Sequence, residues 1–117
     1  MKFMVTWRIH EDKRVEVLQG WASLTPEQRR ELGEGLTYIG RWHDMASLTG
    51  VLIVETSDAG ALFRYLGQWN PALDIEVSPV LDDEESAAVS GQIVADLGAC
   101  TPVGRESSAQ APGPQRC

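Results

Sequence analysis

The residues of this sequence best suited to chemistry are one histidine, two arginines and two glutamates on four candidate strands. They are Arg8, Arg41, His43, Glu55 and Glu76. A histidine titrates near neutral pH and can transfer a proton, while an arginine binds a carboxylate through paired hydrogen bonds. Strand side chains alternate between two faces, and by this alternation we expect all five residues on one face of a sheet. Buried charges must be paired or must meet a ligand, so this face is the predicted site.

His43 is the candidate catalytic acid or base of that face. Asp44 follows it directly and points to the opposite side unless a bulge intervenes, so the pair does not predict a dyad. A structural or dimer-contact histidine is the alternative interpretation. Salt bridges to Glu55, to Glu76 or to a partner chain would likewise explain Arg8 and Arg41 without any ligand.

Aromatic residues supply candidate walls for a pocket. Tyr38, Gly40 and Trp42 alternate with Arg41 and His43, so we expect them on the other face of the second strand. Trp42 and Tyr38 are nevertheless assigned as ligand-contacting residues. For Trp42 and Trp21, packing beneath the sheet is the alternative interpretation, and Trp7 and Trp69 are predicted to lie in the core.

Composition excludes several classes of function. The net charge of −7 argues against nucleic acid and anionic membrane surfaces, and no apolar run is long enough to span a bilayer. Two distant histidines and two cysteines near the C-terminus form no metal-ligand pattern, and no cofactor motif is present, so neither metal nor cofactor is predicted. The cysteine usage favours the cytoplasm.

One domain accounts for most of the length. Residues 1–98 have the composition of a folded domain, whereas residues 99–117 are rich in proline, glycine and serine. Such a segment buries too little apolar surface to offset its ordering entropy, so we expect a flexible tail.

The periodicity predicts the elements that position the site. Apolar alternation predicts strands, helical spacing predicts helices, and Thr25-Pro26-Glu27-Gln28 has the pattern of a capping box. Ser57 is predicted to cap the helix that carries Leu62 and Leu66, and Asp82 to Glu85 to open a final helix. The predicted strands are 2–9, 36–44, 49–55 and 73–81. The order β-α-β-β-α-β plus a C-terminal helix predicts an α+β, ferredoxin-like fold with a four-stranded antiparallel sheet.

The third strand predicts an association between chains. Val51-Leu52-Ile53-Val54 is apolar on both faces, and the helices of so short a protein cover only one face. We therefore expect a homodimer in which two sheets pack face to face.

Three stretches, Met1 to Trp7, Gly40 to Asp44 and Ser78 to Asp83, together with Trp69-Asn70, carry a family resemblance. Over about residues 1–90 the chain resembles a bacterial family catalogued as domain of unknown function 3303. It is also similar to the wider dimeric α/β-barrel superfamily, which includes cofactor-free monooxygenases, isomerases, haem-degrading enzymes and ligand-binding members. The wider resemblance implies a dimer and a pocket but no particular reaction, because fold does not determine function.

Three functional hypotheses follow. The first is a homodimer that binds a small anionic or aromatic molecule in a pocket on the sheet face. The second is a cofactor-independent monooxygenase-like or isomerase-like enzyme with His43 as acid or base. The third is an assembly module without a ligand.

Overall fold

The computed structural model describes residues 1–100, with side chains to residue 98, and it divides the chain into two units. Nearly all of the predicted tail lies outside the described residues. The first unit, Met1–Val80, contains four strands and three α-helices. Its elements in chain order are β1 (Lys2–Ile9), a 3-10 turn (Glu11–Lys13), α1 (Arg14–Ala22), α2 (Pro26–Arg30), β2 (Thr37–Asp44), β3 (Thr49–Glu55), α3 (Ala59–Leu66) and β4 (Leu73–Val80).

The sheet of the first unit is antiparallel throughout, with strand order β2-β3-β1-β4. This order and the predicted element sequence are consistent with a ferredoxin-like α+β fold. Pro79 lies on an edge strand, because β4 pairs only with β1. A proline at an edge leaves no interior ladder bond unmade.

The core lies between the sheet and α3. Val5, Leu52 and Val54 project from the central strands onto Leu62 and Leu66 of the helix, and all five are buried. This is the stripe that the helical spacing predicts. Trp7, Phe3, Ile75 and Val77 pack around this cluster on the same face of the sheet, which we call the helix-facing face. The other side is the opposite face.

Local signals set the ends of the short helices. The capping box is confirmed: the Gln28 N–H donates to the Thr25 hydroxyl at 3.1 Å, and the Thr25 N–H donates to the Gln28 side chain at 2.8 Å. The prediction of Ser57 as the cap of α3 is wrong, because Asp58 holds that position and accepts from the Ala61 N–H at 3.2 Å. Thr56 is buried instead and donates to the Gly35 carbonyl at 2.7 Å.

The second unit begins at Leu81 and contains α4 (Asp83–Cys100). Asp82 and Glu85 cap it reciprocally, each side chain accepting from the other residue's N–H at 2.8–2.9 Å. The final helix is therefore present where the acidic run predicts it. No helix in residues 1–100 is both long and apolar enough to cross a membrane.

Candidate functional site

A bulge in β2 decides which of its side chains share a face. Tyr38 pairs with Val54 and Gly40 pairs with Ile53, so Ile39 is an extra residue in the ladder. The extra residue reverses the alternation on its N-terminal side. Tyr38 therefore lies on the same face as Arg41, whose guanidinium carbon is 5.3 Å from the Tyr38 ring centroid. The prediction that Tyr38 lies opposite Arg41 is wrong.

Arg41 and His43 lie on the helix-facing face. Arg41 pairs with the buried Leu52, and His43 pairs with Gly50, which in turn pairs with Trp7 of β1. Directly paired residues project to the same side of a sheet. The prediction that all five polar residues share one face of the sheet is therefore wrong. Alternation along each strand can be inferred from the sequence, but the register that decides which faces of neighbouring strands coincide cannot.

The remaining predicted site residues lie on the opposite face. Arg8 pairs with Thr49 and Asp74, Glu76 pairs with Thr6, and Glu55 forms a 3.9 Å ion pair with Lys2. These side chains are separated from Arg41 and His43 by the thickness of the sheet. The structure thus brings Tyr38, Arg41 and His43 together and leaves Arg8, Glu55 and Glu76 elsewhere.

Trp42 covers Gly40 on the opposite face. A Cβ at residue 40 would stand 2.5 Å from the Trp42 ring, so the indole occupies the space that a side chain would need. Trp42 is nevertheless 60% exposed. It is a surface aromatic and does not wall the space around His43.

A cavity of about 90 Å3 opens between the helix-facing face and helices α1 and α3. Its walls are mostly aromatic and aliphatic, and the polar residues Arg41, His43, Asp44 and Thr49 also line it. The principal lining residues are Val5, Trp7, Val17, Leu18, Trp21, Arg41, His43, Met45, Leu52, Tyr65, Leu66, Trp69, Leu73 and Ile75. An apolar pocket with a few converging polar groups is the usual form of a small-molecule site.

The Trp7 ring lies over Gly50, where the absence of a side chain leaves room for the ring to line the cavity. A Cβ on Gly50 would lie 2.2 Å from the Trp7 ring, so only glycine fits beside this indole. The Trp7 ring meets His43 edge to face, with centroids 5.6 Å apart, and Trp21 approaches His43 from α1 at 5.2 Å. Two indoles thus fix the imidazole at the cavity wall.

Arg41 is held by neutral groups. Its Nη1 donates to the Arg29 carbonyl at 2.8 Å and its Nη2 donates to the Tyr65 hydroxyl at 3.3 Å. Its guanidinium carbon is 4.8 Å from the Trp21 ring centroid, within cation–π range. These contacts place the charge of Arg41 at the cavity wall without a counter-charge.

Arg29 lies beside the same indole, outside the cavity lining. Its Nη2 donates to the carbonyls of Trp21 and Ala22 at 3.3 Å each, and its guanidinium carbon is 5.5 Å from the Trp21 ring centroid. Cationic groups at a helix C-terminus complement its dipole, so Arg29 stabilises the end of α1. Its Nε is buried with no hydrogen-bond partner.

His43 is held neutral by its surroundings. His43 is exposed as a whole residue, yet partial desolvation of its ring, and then the positive charges of Arg41 and Arg29, lower the pKa of the imidazole from the ordinary value of 6.5. No hydrogen bond joins the ring to any residue in the described part of the chain. An uncharged imidazole with free nitrogens at a cavity wall can accept or donate a proton.

Asp44 does not act on His43. Hydrogen bonds from the Ser47 N–H and hydroxyl, and then from the Ala46 N–H, lower the pKa of its carboxyl. The carboxylate closes the turn between β2 and β3, as the sequence argument against a dyad requires. His10 is also elsewhere, with its Nε2 2.9 Å from Asp74 Oδ1. In residues 1–98 no cluster of three His, Cys, Asp or Glu side chains is arranged to hold a metal ion.

Comparison with known proteins identifies a family but no activity. The model of the family described as "Domain of unknown function (DUF3303)" matches residues 1–94, which include the whole sheet and the cavity. The chain belongs to this family. No curated protein and no solved structure matches the chain. Within this DUF3303 chain, function must be argued from the site itself.

Several residues in and around the cavity carry no recognisable functional signal in the sequence. Arg29 follows a helix start and looks like an ordinary solvated charge, and Tyr65 belongs to an apolar stripe typical of core. Trp7 and Trp69 were predicted to be core residues, and they line the cavity while remaining partly buried. The one available signal was the number of tryptophans, four in 117 residues, which exceeds what so small a core needs.

Proposed function

We propose that this protein binds a small aromatic molecule in the cavity between the sheet and α1. The observation that carries the proposal is the composition of the walls, in which Trp7, Trp21 and Trp69 surround an apolar space ended by Arg41 and His43. Indole faces and edges attract flat rings in stacked and edge-to-face arrangements. The polar end would fix the orientation of the bound molecule.

The loose packing of α1 against the sheet supports the same proposal. None of its residues is buried, and Val17 and Leu18 line the cavity in a partly exposed state. Apolar walls on two sides of a cavity gain dispersion contacts from an apolar group that lies between them. A ring inserted under α1 would provide these contacts and would bury the apolar side of the helix.

Thermal-shift and calorimetric titrations with phenol, indole, benzamide and benzoate test the proposal. We expect at least one to raise the melting temperature of the full chain. Trp21→Leu should weaken its binding by about tenfold, since one aromatic contact is lost. Trp42→Leu, on the opposite face, is the matched control and should bind like the wild type. No binding by any of the four, or equal losses in both variants, would contradict the proposal.

We also propose that two copies associate through the opposite faces of their sheets, as in a dimeric α/β barrel. Val51 and Ile53 place apolar side chains there beside the exposed Trp42. Native mass spectrometry of the freshly purified protein should show a dimer, and Trp42→Glu should shift it toward monomer. A wild-type monomer at micromolar concentration would overturn this part and leave the cavity proposal intact.

A second function, proton transfer by His43, is favoured by its lowered pKa and unpartnered nitrogens. A base must be unprotonated, so turnover of a phenolic or enolisable substrate would rise with pH through a pKa below 6.5 and stay high at neutrality. A screen of such substrates with wild type and His43→Gln tests this. Turnover that His43→Gln retains in full would remove His43 from the mechanism.

A further inference from the structure

Arg29 and Arg41 bring two positive charges to one indole, and the one carboxylate that the described residues place in the cavity lining, Asp44, is hydrogen-bonded within its own turn and forms no ion pair with either arginine. Their guanidinium carbons lie 5.5 and 4.8 Å from the Trp21 ring centroid. No carboxylate in the described part of the chain forms an ion pair with either arginine. In a chain of net charge −7, with eleven acidic residues in the first eighty positions, this absence is unexpected.

Neutral acceptors hold these cations in place without compensating their charge. Arg41 donates only to the Arg29 carbonyl and the Tyr65 hydroxyl, and Arg29 donates only to the Trp21 and Ala22 carbonyls. A guanidinium has five N–H donors, so Arg41 keeps donors for another partner. A partly buried charge without an opposite charge raises the energy of the empty site.

The two arginines differ in their access to the cavity. Arg41 is part of the lining, whereas Arg29 lies outside it and accepts a hydrogen bond from Arg41 on its main-chain carbonyl. The main-chain carbonyl of Arg29 holds Arg41 in position, and the side chain of Arg29 adds to the positive potential beside it. Of the two arginines, only Arg41 lines the cavity and can contact a molecule in it. His43 contributes a neutral imidazole beside it.

We propose that the ligand of this cavity carries a carboxylate, which Arg41 binds directly, and that Arg29 is a positioning residue for that contact. This inference rests on the proposed binding of a small aromatic molecule and narrows it to aromatic acids. The aromatic ring lies among the indoles and the carboxylate takes the free donors of Arg41. Planar bidentate pairing with a carboxylate is the interaction that a guanidinium makes best.

Benzoate and benzamide are the matched probes, because they share a ring and differ in charge. Isothermal titration of the full chain should show benzoate binding at least about tenfold more tightly than benzamide, as expected for a charge-assisted hydrogen-bonded pair. Arg41→Gln should remove that preference while retaining benzamide binding. Arg64→Gln, an exposed arginine on α3 with the same change of charge, is the control and should keep the preference. Arg41→Lys, which retains the charge without the planar fork, covers the case in which Arg41→Gln does not fold, and its preference for benzoate should be intermediate.

The positioning role of Arg29 has its own signature. Arg29→Gln should reduce the preference for benzoate and raise the pKa of His43, measured by NMR titration of the imidazole, and Arg29→Lys should restore much of both. A purely structural Arg29 would weaken both probes equally. Benzoate and benzamide binding equally to the wild type would overturn this inference and leave aromatic binding standing. Binding of neither probe would overturn this inference, and it would overturn aromatic binding as well if phenol and indole also fail to bind.

Discussion

His43 stands between two indole rings, and the charges that lower its pKa are both positive. Trp7 and Trp21 contact its ring, and Arg41 and Arg29 oppose its protonation. At the residue scale the site is thus a recess lined by aromatic side chains. Arg41 provides its positive charge, and the lowered pKa of His43 favours the neutral imidazole. The glycine at position 50 makes this recess by leaving room for the Trp7 ring.

The lowered pKa of His43 predicts a pH dependence of stability. In the unfolded chain the imidazole titrates near 6.5, and in the folded chain it titrates below that value. Between these values the unfolded state binds more protons, so acidification favours unfolding. We expect the free energy of unfolding to be fully maintained above 6.5 and to fall as pH decreases through the folded pKa.

Denaturant titrations from about pH 7 to about pH 5 measure this dependence. His43→Gln, which cannot be protonated, should show a shallower decline than the wild type over that interval. The same slope in both proteins would show that His43 does not carry the effect.

The close approach of Trp7 to Gly50 predicts that one methyl group added at position 50 destabilises the folded protein. Gly50→Ala would place a carbon 2.2 Å from the indole, so the ring must move, and we expect a loss of about 1–3 kcal/mol of unfolding free energy. Gly20→Ala in α1, where nothing lies within 4 Å, is the control. It should gain about 0.5–1 kcal/mol, because alanine favours the helix. Equal effects at both positions in chemical denaturation would contradict this account.

At the scale of elements, α1 and α3 cover the same face of the sheet, but only α3 contributes buried residues. Ala61, Leu62 and Leu66 of α3 are buried, whereas α1 has no buried residue and its N-cap, Lys13, makes no side-chain capping hydrogen bond. The cavity lies where α1 would otherwise pack. The end of α1 is attached through Arg29 and the Trp21 ring.

This difference predicts unequal protection from hydrogen exchange. Amides of α1 should exchange much faster than those of α3, because local opening of α1 exposes little buried surface. Benzoate should slow exchange in α1 by a larger factor than in α3, as followed by mass spectrometry of peptides from each helix. Protection of α1 equal to that of α3 in the ligand-free protein would contradict the loose seating proposed here.

The sequence carried enough information for the elements and too little for the site. Periodicity locates the four strands and capping signals locate the starts of α2 and α4, since these signals depend on neighbouring residues, whereas the cap predicted for α3 is one residue off. The bulge at Ile39 and the register of β2 depend on contacts between distant segments, and no local signal marks them. The sequence pattern therefore places Arg41 and His43 on the wrong face of the sheet. It groups them with Arg8 and Glu76, whereas in the structure they lie with Trp21 and Tyr65.

At the scale of the whole molecule, we propose that one face of the sheet binds a ligand and the other associates with a second copy. The helix-facing face holds the cavity, with its indoles and its uncompensated Arg41, and the opposite face carries Trp42 with the apolar side chains proposed to meet a second copy. The match to the DUF3303 family covers both faces. In this account ligand binding and association are independent, so a variant of one face should leave the other unaffected.

The four tryptophans make the central claim directly measurable. Trp7, Trp21 and Trp69 line the cavity, and Trp42 lies on the opposite face. In protein labelled with 5-fluorotryptophan, each 19F resonance can be assigned by replacing one tryptophan with phenylalanine. On titration with benzoate, the account predicts that the three cavity resonances shift together with a single dissociation constant while that of Trp42 stays in place. A shift of Trp42 alone, or no saturable shift of any cavity resonance, would contradict it.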